Sequence, residues 1–291
     1  MEARIAAIEA LIQEEVGRNI GALAAAASGG LFGAAQALAA APSLRLGVIT
    51  GFFVPRGIPA SAETDGPVGA ALLLRGLTDA GIQCRLATDA HCANACRVAL
   101  SAAGLADIPL DCGSVETSLA AWRDAGITHV LSIERCGPGA DGVPRNLRGI
   151  DISDVTAPLD QLFLGGWTRL AIGDGGNEIG MGNLPVALIA GAIRNGAAIA
   201  CRTPADHLIV AGVSNWGAWG LLAALALLRP DWRAPLLAAL DPALDAAVLQ
   251  AIVANGPAVD GVTAERALTV DGLSMAAHHA KLTAILAAAT P

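Results

Sequence analysis

The chain has 291 residues, ample to bury a core as one large α/β domain or two modest ones. Hydrophobic residues make up 54% and charged residues 15%, which excludes a disordered or solvating chain. A net charge of −8, only 18 Lys and Arg with no basic stripe, and 3% aromatics without Tyr exclude a nucleic-acid surface built on phosphate contacts or base stacking.

The first forty residues read as helix, an N-terminal arm over residues 1–42. Ile5, Ile8, Leu11 and Ile12 recur at helical spacing, Ser28-Gly29-Gly30 interrupts, Ala34 to Ala41 resume, and Pro42 ends the run. The charged, amphipathic start is unlike a cleavable signal peptide, so a cytoplasmic location is expected. Strand-like runs then alternate with helical ones. Strands are predicted at 44–50, 82–88, 128–134, 168–174 and 207–212, with a shorter one at 108–110. Helices are predicted at about 67–80 and 91–103, and residues 230–291 read as a C-terminal helical segment. Near-continuous apolar strands alternating with helices predict an α/β fold: a single Rossmann-like three-layer domain with a mostly parallel sheet and helical additions at both ends.

Residues 19–44 and 207–228 carry no charge over membrane-spanning lengths. Ser28-Gly29-Gly30 and Ser214-Asn215 break them, whereas a spanning helix needs about 20 apolar residues without such breaks. No membrane partner is expected, and Ala-rich buried helices are compatible with a homo-oligomer. The six cysteines read as free thiols; Cys92 and Cys96 share a helical face, but no second pair with zinc-ligand spacing follows.

In an open parallel sheet, ligands bind where strand-to-helix loops gather. The unusual residues of this chain stand there. Thr50 and Gly51 follow the first strand, and Glu63 and Asp65 precede Pro67, with Asp65 readable as the N-cap of the helix that Pro67 opens. Glu134 and Arg135 end the 128–134 strand, with Asn146 and Arg148 in the loop beyond. The 168–174 strand runs into GDGGNEIGMG (173–182), where five glycines in ten residues signal tight turns or close backbone approach to a ligand. Asp174 and Glu178 would repel a phosphate and no Walker lysine follows. Acids with Asn177 on such a loop suit an ammonium group, a metal ion or both. Ser214 and Asn215 follow the last strand. The five histidines (His91, His129, His207, His278, His279) fall in helix or strand interiors and no GxSxG elbow is present, which disfavours histidine or serine catalysis.

The strings TGFF (50–53), ETDGPVGA (63–70), SIERCG (132–137), ADG (140–142), NLRG (146–149), GDGGNEIGMG (173–182), AGVSNWG (211–217), VDGVT (259–263) and TVDGL (269–273) resemble the D-glutamate cyclase family, in order over roughly residues 17–280. The chain departs from the family pattern at Phe53 and at Pro59-Ala60-Ser61-Ala62. The resemblance implies conversion of D-glutamate to 5-oxo-D-proline and water by lactam formation. For that chemistry, Asp174 or Glu178 is the candidate base and Glu134 or Glu63 the candidate acid. Arg135 and Arg148 are candidate carboxylate clamps. Thr50, Asn146, Ser214 and Asn215 are candidate neutral hydrogen-bonders, with Asp65 and the loop residues Gly51, Gly175, Gly176 and Asn177 completing the substrate-binding set. Asp65, Glu134, Asp174 and Glu178 would be the oxygen ligands if Mg²⁺ or Mn²⁺ takes part. The alternatives are a related lactam-forming or lactam-hydrolysing reaction on another amino acid, and an amino-acid-binding protein without turnover.

Overall fold

Three helices open the chain in the computed structural model, which describes residues 1–290: α1 (Glu2–Ile12), α2 (Gly21–Ala26) and α3 (Gly30–Ala40). β1 (Arg45–Thr50) follows, then a short antiparallel ribbon of β2 (Phe53–Val54) and β3 (Ser61–Ala62), then α4 (Pro67–Asp79). β4 (Gln83–Ala87), α5 (Ala93–Ala102), β5 (Leu110–Asp111), α6 (Val115–Asp124) and β6 (His129–Ile133) alternate strictly. β7 (Thr168–Gly173), α7 (Val186–Ala192), α8 (Gly196–Ile199), β8 (His207–Val210) and α9 (Ser214–Leu228) continue the pattern. α10 (Arg233–Ala239) and α11 (Pro242–Asn255) precede a second ribbon, β9 (Thr269–Val270) and β10 (Leu273–Ser274), and α12 (Met275–Ala289).

Six strands form one parallel sheet in the order β5-β4-β1-β6-β7-β8. Successive side chains of a strand point to opposite faces, and here both faces are apolar. Val48, Leu131, Ile172 and Ile209 feed one core, shared with α3, α4, α5, α9 and the C-terminal helices. Their neighbours Ile49, Val130, Ala171 and Val210 feed the other, which includes Trp122 of α6 and Leu23 of α2. The expected α/β three-layer architecture is therefore present.

α9 is buried along nearly its whole length because α1, α3, α4, α10 and α12 pack around it, so its uncharged surface belongs to the protein interior. Among the described residues no single helix is long and apolar enough to cross a membrane; only the bent pair α10 and α11 passes on length and composition. The helical reading fails in two places. Residues 13–20 form a loop, with Gly17 (φ +99°) and Asn19 (φ +64°) left-handed, conformations that stop a helix. Residues 256–274 are turns and ribbon, broken by Gly256-Pro257, Asp260-Gly261 and Asp271-Gly272. Both segments reach the site described next. His91 is also not inside a helix; it lies exposed in the turn before α5.

Candidate active site

The chain leaves β1 towards β4 on one side and returns to β6 on the other, so the sheet's topological switch lies between β1 and β6. Thr50 ends β1, Glu134 follows β6 and Asp174 follows β7, all at the carboxyl edge. Glu63, Asp65, Glu134, Asp174 and Asp271 converge there, and all five carboxylates are buried. Glu134 sits at φ +44°, a strained backbone for a residue with a side chain. A Cβ at Gly66 (φ +90°) would meet Thr50 Oγ1 at 2.7 Å and Glu134 Cβ at 2.9 Å, so this turn needs glycine to close on the site.

The cation among these acids comes from outside the sheet. Arg18, on the loop between α1 and α2, contacts Asp174 through Nη1 and Asp271 through Nη2 (2.5 Å), while its side chain stays 14% exposed. Glu15 shapes the loop by accepting from the backbone N–H groups of Gly17 and Asn19 (2.8 Å each) and Ile20 (2.7 Å). Asp271 arrives on the turn between β9 and β10. Neither residue stood among the expected site residues. The flanking Gly17 and Asn19 were the available signal for Arg18, and the Asp-Gly pair inside TVDGL for Asp271.

Asp65 and Asn215 lock two helix N-termini together across the site. Asp65 accepts from Ser214 N (2.9 Å) and Asn215 N (2.8 Å) at the start of α9, and from Gly66 N (3.0 Å). Asn215 Oδ1 accepts from Gly66 N (2.9 Å) and Gly69 N (2.7 Å) at the start of α4. Each residue thus satisfies the other helix's free N–H groups. Asp65 does not cap its own helix, as local sequence suggests; it caps α9. Ser214 Oγ donates to Glu134 Oε2 at 2.6 Å, which ties α9 to the β6 loop.

Other expected contacts have different settings. Glu178 accepts from Gly175 N and Gly176 N at 2.7 Å each, so its two oxygens hold the glycine loop closed. Those same bonds take up the Gly175 and Gly176 N–H groups. Arg135, 1% exposed, bonds Asp89 (2.6 Å) and the carbonyls of Gly51 (2.7 Å) and Ala157 (2.6 Å), so it braces the loops from the interior. Asn146 Oδ1 accepts from Arg148 N and Ile150 N, shaping the loop that presents Arg148. Asn177 Nδ2 donates to Arg145 O at 2.9 Å. Thr50 Oγ1, Glu63 Oε1, Asp174 Oδ1 and Asp271 Oδ2 are buried without a hydrogen-bond partner. Unsatisfied buried polar atoms are rare in native folds, and a ligand, ion or water would supply the missing partners here.

A cavity of about 280 Å³ opens onto this cluster. Glu63, Glu134 and Arg18 form its floor, Phe52, Phe53, Leu147 and Ile150 its walls, and Arg56 and Arg148 a basic mouth. Arg56 is held by the carbonyls of Gly261 (2.9 Å) and Val262 (2.5 Å). Asp65, Asp174 and Asp271 stand behind the floor and do not line the cavity. Burial pushes the Glu63 and Glu134 carboxyls well above the usual range, with neighbouring acids adding to it (Asp271 and Asp65 for Glu63; Glu178, Glu63 and Asp65 for Glu134). Burial raises Asp65 to about 7, helped by Asp271 and opposed by Arg18 and the α9 N–H groups. Burial raises Asp174 and Asp271 too, against the pull of Arg18. Burial thus favours proton retention across the cluster, and Arg18 opposes it.

The D-glutamate cyclase-like C-terminal family model matches residues 8–286, nearly the whole chain and all of the site. The chain belongs to the D-glutamate cyclase-like family. It is 35% identical over 200 residues to the human mitochondrial D-glutamate cyclase, an alignment that covers 62% of this chain. The chain spans 32% of that relative's length.

Proposed function

We propose that this protein is a D-glutamate cyclase-like lyase that closes D-glutamate to 5-oxo-D-proline and releases water. The observation that carries the reading is the polarity of the cavity: a floor of raised-pKa carboxyls beneath a basic mouth. Its volume lies just under the range typical of drug-sized ligands, which leaves room for one small amino acid. The substrate's ammonium and side-chain carboxyl meet on the floor beside Glu63 and Glu134. The spectator α-carboxylate faces Arg148 and Arg56 at the mouth, where guanidinium donors match it.

In the reaction the ammonium gives one proton to an ionised floor carboxylate, and the freed amine attacks the side-chain carbonyl carbon. The N–C bond forms and a tetrahedral oxyanion develops. A second proton leaves the nitrogen, the C–O bond breaks, and the oxygen departs as water. Both protons of that water come from the nitrogen, so the floor acids only relay them and no net proton is exchanged with solvent. Glu63 and Glu134, the two carboxyls facing the cavity, take the base and acid roles; Asp174 and Asp271 tune them from behind. Amine and carboxyl share one molecule, so the proximity advantage of roughly 7–11 kcal/mol over a bimolecular reaction is built into the substrate, and the site's part is to hold the near-attack conformer.

Asp65, Glu134 and Asp174 each offer a carboxylate oxygen, all within 4.8 Å of one another, a donor set that suits Mg²⁺ or Mn²⁺. A bound dication would screen the cluster's negative charge and polarise a carboxyl group. The test is incubation of purified protein with D- and L-glutamate, with and without EDTA, following loss of one water by mass spectrometry. The reading requires 5-oxoproline from D-glutamate. Recovery of unaltered D-glutamate under every condition, with or without added Mg²⁺ or Mn²⁺, refutes it.

A further inference from the structure

Arg18 is the one cation on the cavity floor; the others lining the cavity, Arg56 and Arg148, stand at the mouth. A guanidinium carries five N–H donors in a fixed plane. Asp174 and Asp271 engage Nη1 and Nη2, one contact each, and the side chain keeps its 14% exposure on the cavity floor beside Glu63 and Glu134. The loop that presents it is rigid by construction: Glu15 binds three of its N–H groups, Asn19 Nδ2 donates to Ala192 O at 2.8 Å, and Gly212 N donates to Ile12 O at 2.7 Å. These contacts deliver a positive charge from the amino-terminal arm to the catalytic edge of the sheet.

Resting on the cyclisation reading, we propose that Arg18 is a catalytic residue whose guanidinium faces the substrate's side-chain carboxyl and stabilises the oxyanion formed when the amine adds to it. As the N–C bond forms, the C=O π pair moves onto oxygen, and a floor of carboxylates alone would repel that charge. Arg18 transfers no proton or electron; it supplies a fixed positive field where charge develops. Asp174 and Asp271 hold the guanidinium in the orientation required, so it need not reorganise during the reaction.

The test compares Arg18→Gln and Arg18→Lys with the wild type for kcat and KM on D-glutamate and for melting temperature, and adds guanidinium ion to Arg18→Ala. The proposal expects Arg18→Gln to lose about 100–1000-fold in kcat, the cost of removing an oxyanion donor, with a smaller change in KM. It also expects millimolar guanidinium to restore at least about tenfold in Arg18→Ala, which a purely structural defect would not allow. A kcat for Arg18→Gln within about threefold of wild type overturns it. So does a loss that follows the fall in melting temperature and resists rescue. A wild type that leaves D-glutamate unchanged removes the cyclisation reading and this inference together; an active wild type with an unimpaired Arg18→Gln removes the inference alone.

Discussion

Asn215→Ala isolates the tie between the two helix N-termini. Asn215 is fully buried, and its Oδ1 is the acceptor for both Gly66 N and Gly69 N. Alanine leaves Gly69 N unpaired in a place water does not reach, whereas Gly66 N keeps its bond to Asp65 Oδ1 (3.0 Å). An orphaned buried donor costs about 1–3 kcal/mol, and the variant should lose that much. At about 2 °C per kcal/mol for a domain of this size, the melting temperature falls by roughly 2–6 °C. Differential scanning calorimetry measures this directly. Asn94→Ala is the control: its Nδ2 bond to Asn255 O lies at the surface, and its loss should cost no more than about 0.5 kcal/mol. The kinetic consequence is separate. Loosening α9 from α4 frees Ser214 from Glu134, so kcat on D-glutamate should fall more than KM rises. An Asn215→Ala protein that melts within about 1 °C of wild type would refute the reasoning, because a buried donor cannot be left unpaired at so little cost.

Three further outcomes follow from the same geometry. Glu134→Gln keeps the shape and the Ser214 contact but removes the titrating group, so turnover should fall roughly 100–10,000-fold with folding intact by circular dichroism; unchanged turnover would clear Glu134 of a proton-transfer role. Arg148→Gln should raise KM about tenfold with little change in kcat, since it binds the spectator carboxylate equally in ground and transition states; a fall confined to kcat would contradict that placement. Asp65 ionises near 3.8 when unfolded and near 7 when folded, so between these values the native state keeps a proton that the unfolded chain has lost. Its contribution to stability is thus greatest below pH 4 and drains away as pH rises to 7, at up to about 1.4 kcal/mol per pH unit. Glu63, Glu134 and Asp174 act in the same direction, so urea midpoints should drop from pH 5 to pH 8, and a midpoint that climbs across that span would count against the raised carboxyls.

The sheet was legible because each strand is a short apolar run closed by Gly, Asp or Ser, and the register of those endings placed Thr50, Glu134 and Asp174 at one edge. Roles were less legible than positions. Asp65 and Asn215 were picked out by their loops, yet their partners lie 149 or 150 residues away in sequence, so local capping rules assign Asp65 to the wrong helix. Glu178 and Arg135 carry residue types that suit catalysis, but Glu178 also closes the glycine loop and Arg135 braces three neighbours, contacts that only packing reveals. Arg18 and Asp271 lie in segments where Ala-rich helical periodicity on either side hides a loop. Periodicity reports what a residue's neighbours do along the chain; it carries no information about which distant edge a loop will reach.

The arrangement of charge explains why the acids are so numerous. Lactam formation moves two protons from nitrogen to a leaving oxygen within one small volume, and an acid that is always ionised could take a proton but hold none ready to give. Five buried carboxyls with one arginine among them cannot all ionise, since burial and mutual repulsion favour proton retention. Proton retention is thereby favoured on the floor itself, at Glu63 and Glu134. Burying the acids costs stability, and the cross-capped helices and the Glu178-closed glycine loop offset that cost by fixing the edge on which they stand. On this view the residues behind the cavity matter through the protonation state they impose on Glu63 and Glu134. Asp174→Asn should accordingly shift the pH profile of turnover while Glu134→Gln removes turnover itself, and identical effects from the two variants would show that the cluster is not divided in this way.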